Sequence, residues 1–382
     1  MRRVITLCFV CVILLLLTGC WDRRETNDLA IVTGVALDKT EEGNIEITVE
    51  VHSPGGNKSG GQDGSQGGGS STILRTGSGV SIPDAIEDLD EKMSREILWS
   101  HAEAIVISKA FAETGIVSEL DFFVRHPEPR LRSYVFISKG SAKEIVALSP
   151  PLERSSSEAL IKLAESDVLM RATLLDLMEM LKGESGDAIL PMIDILPPEE
   201  GQSPRETIAY INRSAILRQG KMIGSIDDKL TRGVMWYRNQ IKETIVTVKP
   251  EGADGYVSMN LIKGNADLIP EIDGQQLTMT IRIETVDDII QNQTDLDLKE
   301  VESIRKLEDA LAQKIEGRLS ATLEIVQKEM KADVIGFADE FRRKYPDEWR
   351  ELKGEWDDRY PTVDVIFDIT AHVLRTGKGG TS

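Results

Sequence analysis

The chain has 382 residues and carries 64 acidic against 45 basic side chains, a formal charge of −19. Such a surface repels phosphate backbones and anionic headgroups, which argues against nucleic-acid binding and against membrane docking by charge alone. All three cysteines, Cys8, Cys11 and Cys20, fall within the first twenty positions, so disulfides, cysteine-zinc sites and thiol catalysis are excluded from the rest of the chain.

Arg2 and Arg3 precede an apolar run from Val4 to Leu17, and Leu17-Thr18-Gly19-Cys20 follows. This is the layout of an export signal. At roughly 14 residues the run is too short to cross a hydrocarbon core that needs about 20. Leu-Thr-Gly-Cys resembles the lipobox of bacterial lipoproteins, so residues 1–19 read as a lipoprotein signal peptide and Cys20 as the lipidated first residue of the mature chain. Each buried methylene of the acyl chains would contribute about 0.8 kcal/mol, and two or more chains make a stable anchor. Loss of Arg2 and Arg3 leaves 43 basic against 64 acidic residues, a formal charge of −21.

Strands come first in the mature chain. Leu29 to Leu37 is apolar and rich in Val and Ile; from Asn44 to Val51, Ile45, Ile47, Val49 and Val51 alternate with Glu46, Thr48 and Glu50. The second strand is therefore expected to turn one face to water. Ser53 to Ser71 is Gly/Ser-rich with no large apolar residue to offset its ordering entropy. It predicts a flexible loop inside an oversized hairpin, because strand character resumes at Thr72 to Arg75. Ser81, Pro83 and Asp84 open a helix expected to reach Arg95; Trp99 to Ser108 reads as a strand and Gly115 to Arg125 as a helix stopped by Pro127 and Pro129. Leu131 to Ser138 is a further strand, and Ser141 with Glu144 suggests a capping box for a helix over Ala142 to Leu148. Helices over Glu153 to Glu165 and Thr173 to Leu181 complete an α+β unit that ends near Ile195.

Pro191, Pro197, Pro198 and Pro204 cluster with Gly201, the clearest linker signal in the chain. It separates an N-terminal α+β domain, 20–198, from a small middle domain, 205–250, and a C-terminal α+β domain, 251–376. Gln219-Gly220 marks a hairpin between Thr207 to Arg218 and Lys221 to Ile226, and Asp227 begins a short helix. Strand-like runs follow at Ile245 to Val248, Tyr256 to Ile262, Asn265 to Ile269 and Gln276 to Ile283. A long helix is expected over Asp297 to Asp333, where Ile304, Leu307, Leu311, Ile315, Leu319 and Leu323 step by threes and fours, the stripe of a helix lying along a sheet. Val363 to Ala371 alternates again as a last strand.

Motifs for chemistry are wanting. His52, His101, His126 and His372 stand far apart and begin no HExxH pair. Gly183-Glu184-Ser185-Gly186-Asp187 falls one position short of a nucleophile elbow, and Gly56-Asn57-Lys58-Ser59 puts Asn57 where a phosphate loop needs glycine. Asp287-Asp288 and Glu199-Glu200 read as solvated surface, and Asp295-Leu296-Asp297 lacks the rest of a calcium loop. Tyr345, Trp349, Trp356 and Tyr360 step by four, seven and four, as core packing against the last strand would require.

Cys20-Trp21-Asp22-Arg23-Arg24-Glu25, followed by Asp28-Leu29-Ala30-Ile31-Val32-Thr33-Gly34-Val35-Ala36-Leu37-Asp38, resembles the mature start of the Ger(x)C family, spore germination lipoproteins that form the C subunit of nutrient germinant receptors. The likeness continues at His101-Ala102-Glu103, Arg125-His126-Pro127-Glu128-Pro129-Arg130 and Glu144-Ile145, then at Thr231-Arg232-Gly233 with Trp236, Ala332-Asp333, and Tyr345-Pro346 with Trp349, Trp356 and Tyr360. The Gly/Ser loop is longer than the family pattern suggests. The resemblance implies an α+β protein of three domains, each a sheet with packed helices. It also implies a non-enzymatic subunit beside integral membrane partners at the outer face of the spore inner membrane. It carries over no site residue except the lipidated Cys20, no cofactor and no metal, and it leaves direct nutrient binding open.

Two other classes share the anchor and the acidity. A solute-binding lipoprotein of a transporter would need two doubly wound lobes, which the grouping of strands, one long helix and a final strand does not suggest. An exported hydrolase has only unpaired carboxylates in its favour.

Overall fold

The computed structural model describes Arg3 and residues 28–375, apart from 53–71, 127, 167–169 and 243. Most of the expected signal peptide, Cys20, the Gly/Ser loop and the last seven residues therefore lie outside the described residues. Two sheets with packed helices carry the α+β fold.

In the first sheet β1 (Leu29–Lys39), β2 (Ile45–His52) and β3 (Thr72–Gly79) are antiparallel neighbours. His52 pairs with Thr72, so segment 53–71 joins two paired strands, as the hairpin reading requires. Helix α1 (Ile82–Asp90) starts at Ser81, whose side chain accepts the Asp84 amide, and stops short of the expected Arg95. β4 (Glu96–Leu98) lies parallel to β1; Trp99 to His101 form a 3-10 turn and not a strand, and β5 (Ala104–Ser108) carries the apolar run. There follow α2 (Lys109–Ala112), α3 (Val117–Arg125), β6 (Tyr134–Ser138), α4 (Ala142–Val146), α5 (Ser156–Glu165), α6 (Leu174–Lys182) and β7 (Ala188–Ile195). β1, β5, β6 and β7 are parallel, and helices cover both faces, which buries these strands as near-continuous Val/Ile runs.

β8 (Ala209–Arg218) pairs antiparallel with β7, and β9 (Lys221–Asp227) with β8, so the sheet runs straight across the proline cluster. The strands assigned to a middle domain over 205–250 are thus shared out: β8 and β9 close the first sheet, and β10 (Ile245–Val248) joins the second. Loop composition alone does not separate a linker from a long hairpin connection. Here the ends are tied, since Leu196 N–H donates to Ile208 O at 2.9 Å and Thr207 Oγ1 to Leu196 O at 2.6 Å.

Helix α7 (Asp228–Tyr237), capped by Asp227, leads into the second sheet. β11 (Val257–Asp273) and β12 (Gln276–Asn292) form one long hairpin, merging two expected strands; a register shift between Leu261 and Lys263 accounts for the broken alternation there. Helix α8 (Val301–Leu323) buries Leu307, Leu311, Ile315, Leu319 and Leu323 and ends in a π turn, Glu324–Glu329. Then come α9 (Phe337–Lys344), α10 (Pro346–Leu352), α11 (Trp356–Arg359) and β13 (Asp364–Arg375), which lies parallel to β12.

Two sequence readings fail locally for one reason, a distant element that supplies the polar partner. The face of β2 expected in water is covered: Thr48 is 0% and Glu50 1% exposed. The Glu50 carboxylate accepts the Ser156 and Ser157 amides at 3.1 and 3.0 Å and the Ser157 hydroxyl, at the N-terminus of α5, where the helix dipole favours a negative charge. Ser141 and Glu144 make no capping box. Asp38, at the end of β1, instead accepts the Ala142 amide at 2.9 Å and the Lys143 amide at 2.8 Å, and so caps α4 from another strand.

Candidate functional site at the junction of the two sheets

The loop between α6 and β7, Gly183 to Asp187, holds the two sheets together. Ser185 Oγ donates to Asp333 O at 3.3 Å, and Asp187 Oδ2 accepts the Asp333 amide at 2.8 Å. Asp187 Oδ1 accepts Gln219 N at 3.2 Å from the β8–β9 turn, where Gln219 and Gly220 both take positive φ, as a tight type I′ hairpin needs. Asp333 follows the end of the π turn. Its carboxylate accepts the Gly336 and Phe337 amides at 2.9 Å and the Ala338 amide at 2.7 Å, capping α9, and takes the Trp356 indole N–H at 3.2 Å.

Charge reinforces the joint. Burial pushes Glu184 up, but Lys353 at 2.9 Å, the Trp349 indole at 3.0 Å and Arg342 at 3.4 Å outweigh it and hold the carboxyl below its usual range. Arg218 meets Asp357 at 2.8 Å. Burial pushes Asp187 up to about 7 and raises Asp333 as well, against the amides that lower both.

Beside the joint opens a cleft of about 540 Å³. It is lined by Asp176 and Glu179 from α6, Asp339 and Glu340 from α9, the joint residues Asp187 and Asp333, and Arg238 and Arg343. Arg238 Nη1 donates to Val334 O at 2.9 Å, and burial pulls its pKa down. The carboxylates of Asp187 and Asp333 are engaged by main-chain amides, and the Ser185 hydroxyl is spent on a carbonyl. The arrangement suits rigid coupling of two halves better than proton transfer or nucleophilic attack.

The structure disperses the residues weighed for chemistry. His52, His101 and His372 are exposed on separate elements, and His126 ends α3. Among the described residues no three His, Asp or Glu side chains converge as metal ligands. Glu199 and Glu200 are exposed, but Asp287 is buried at 1% exposure, which corrects the reading of Asp287-Asp288 as solvated surface: α8 covers the inner face of β12 on which it lies. Trp349, Trp356 and Tyr360 are core residues, and the Trp349 and Trp356 rings stand 5.0 Å apart. Cys20, the one site residue taken from the sequence, lies outside the described residues. The Gly183–Asp187 joint escaped sequence reading because its partners, Asp333 and Trp349, are some 150 positions away.

Residues 22–195 match the Spore germination protein N-terminal domain, and residues 212–377 match the Spore germination B3/GerAC like, C-terminal domain. Two Bacillus subtilis (strain 168) relatives are similar along nearly their whole length. Spore germination protein YndF is 26% identical over 402 residues, covering 98% of this chain and 97% of its own; spore germination protein KC is 25% identical over 391 residues, covering 97% and 96%. The crystal structure of the GerBC protein superposes with a TM-score of 0.58 at 19% identity, over 89% of this chain and 97% of that one, so the fold is shared.

Proposed function

This chain belongs to the spore germination protein family defined by those two domains, and from that membership we propose that it is a membrane-anchored lipoprotein subunit of a nutrient germinant receptor. In this reading Cys20 carries the lipid, the folded part stands at the outer face of the spore inner membrane, and the protein works without turnover, by assembly with integral membrane subunits. The observation that carries the proposal is the match of both domains in order along nearly the whole chain, behind a Leu17-Thr18-Gly19-Cys20 segment that resembles a lipobox. Two features support a scaffold role. No described helix is long and apolar enough to cross a membrane, which suits an acyl anchor, and the two sheets are fastened by a buried joint. The rival solute-binding lipoprotein would need two doubly wound lobes, whereas β10, β11 and β12 are antiparallel.

Replacing Cys20 with Ala tests the proposal. The variant is expected to keep its signal peptide, to fall in membrane abundance, and to leave spores unresponsive to the nutrient of their receptor. A variant that is processed, fractionates and germinates as the parent does would defeat it.

A further inference from the structure

The rim of the first sheet at which β1, β4, β5 and β6 begin is shared by the segments that enter them, because these strands are parallel. One such segment, just ahead of β6, presents Arg130, Leu131 and Arg132, all exposed. Arg130 and Arg132 line a pocket of about 290 Å³ with Glu103, Tyr134, Ile161 and Glu165, and Arg130 pairs with Glu103 at 3.3 Å. Two guanidinium groups and two carboxylates line the pocket, and Lys162 pairs with Glu165 at 3.3 Å at its edge, so both signs of charge stand side by side, which suits a zwitterion better than a simple anion.

The chain enters β1 at this same rim, nine residues after Cys20. Nine residues span at most about 32 Å. β1 has 11 residues and is about 36 Å long. A tether fixed to the bilayer at Cys20 is thus too short for the opposite rim, at the Thr40 to Asn44 turn, to lie on the membrane. On the reading that Cys20 is lipidated, the rim with the pocket is the one held near the headgroups.

We propose that this rim faces the bilayer and that its pocket takes a phospholipid headgroup carrying a primary ammonium, with the phosphate on Arg130 and Arg132, the ammonium on Glu165 and Glu103, and Leu131 set among the headgroups. The acyl anchor supplies the affinity and the rim supplies orientation, so the net charge of the mature chain is no obstacle. Charge-assisted hydrogen bonds from guanidinium to phosphate and from ammonium to carboxylate are the strong kind.

The mature chain has no cysteine besides Cys20, so Leu131→Cys and, on the opposite rim, Glu42→Cys each introduce one thiol for a fluorophore. The lipidated protein is placed on phosphatidylethanolamine vesicles containing a nitroxide quencher at headgroup depth. Quenching at position 131 is expected to exceed that at 42 roughly two-fold or more. It should fall towards the level of position 42 when Arg132→Glu is added, and fall also when phosphatidylcholine, whose ammonium has no N–H, replaces phosphatidylethanolamine. Equal quenching at 131 and 42 in protein that floats with the vesicles overturns the bilayer-facing rim; equal quenching at 131 in the two lipids overturns the headgroup assignment. Protein that does not float at all overturns the anchor reading instead.

Discussion

Asp187 Oδ2 accepts the main-chain amide of Asp333 at 2.8 Å, one buried hydrogen bond between residues 146 positions apart. Asp187 begins the loop-to-strand transition at β7, and Asp333 caps α9, so the bond ties the first sheet to the helices of the second.

That bond should respond to pH. Burial raises Asp187 to about 7 in the folded protein, above its value in the unfolded chain. A carboxyl with a raised folded pKa stabilises below the ordinary carboxylate range and loses that contribution as pH rises through about 7. The protein is expected to melt higher at about pH 5.5 than at about pH 8. Asp187→Asn keeps an acceptor for the Asp333 amide but cannot ionise, so it should reduce the difference, leaving the part that Asp287 and Asp333 contribute. Thermal unfolding followed by tryptophan fluorescence at both pH values decides the matter; parallel pH dependence of parent and variant would remove Asp187 as the source.

A second prediction concerns the seat of α5. A Cβ built at Gly34 would lie 1.9 Å from Ser157 Oγ and 3.6 Å from Glu50 Oε2, so β1 and α5 touch only because residue 34 has no side chain. Gly34→Ala is expected to cost about 2 kcal/mol or more by forcing Ser157 off the buried Glu50 carboxylate. With Ser157→Ala added the clash shrinks, so the double variant should be more stable than the sum of the two singles by about 1 kcal/mol. Urea unfolding of the four proteins of the cycle measures this, and strict additivity would show that the clash is not what residue 34 avoids.

Much of the fold was legible because its signals are local. β1, β2, the β8–β9 hairpin and the stripe of α8 each rest on periodicity or turn chemistry within a dozen or so residues. What escaped is non-local. Ser141 and Glu144 have the spacing of a capping box, but nothing in that spacing announces that Asp38, 104 positions from Ala142, has taken the amides first. Glu50 sits on the polar beat of β2 and looks solvated until α5 is laid over it. The joint at Asp187 fails to register in the same way: burial, and the partner that makes burial tolerable, come from tertiary structure.

The last prediction follows from Asp287, where burial outweighs what the neighbouring Thr285 offers the carboxyl. It lies on the inner face of β12 between Thr285 and Ile289, flanked by Leu261 of β11 and Val373 of β13. Among the described residues neither carboxylate oxygen meets a hydrogen-bond partner, and the side chain is 1% exposed. Burial pushes the group up to about 6, and the neighbouring Thr285 offsets this only in part. The folded pKa exceeds the unfolded one, so the ionised side chain weighs against the fold once pH rises through about 6. Asp287→Val supplies a β-branched apolar side chain of similar size on a strand. It is expected to stabilise the protein by about 1–3 kcal/mol at about pH 8, and by less at about pH 5, where the parent carboxyl is already neutral. Equilibrium urea unfolding at the two pH values reads both quantities. A loss of stability at about pH 8 would show that Asp287 is held by interactions that valine cannot replace, whereas a stabilised variant whose spores germinate poorly would show that the buried acid is kept for germination and not for the fold.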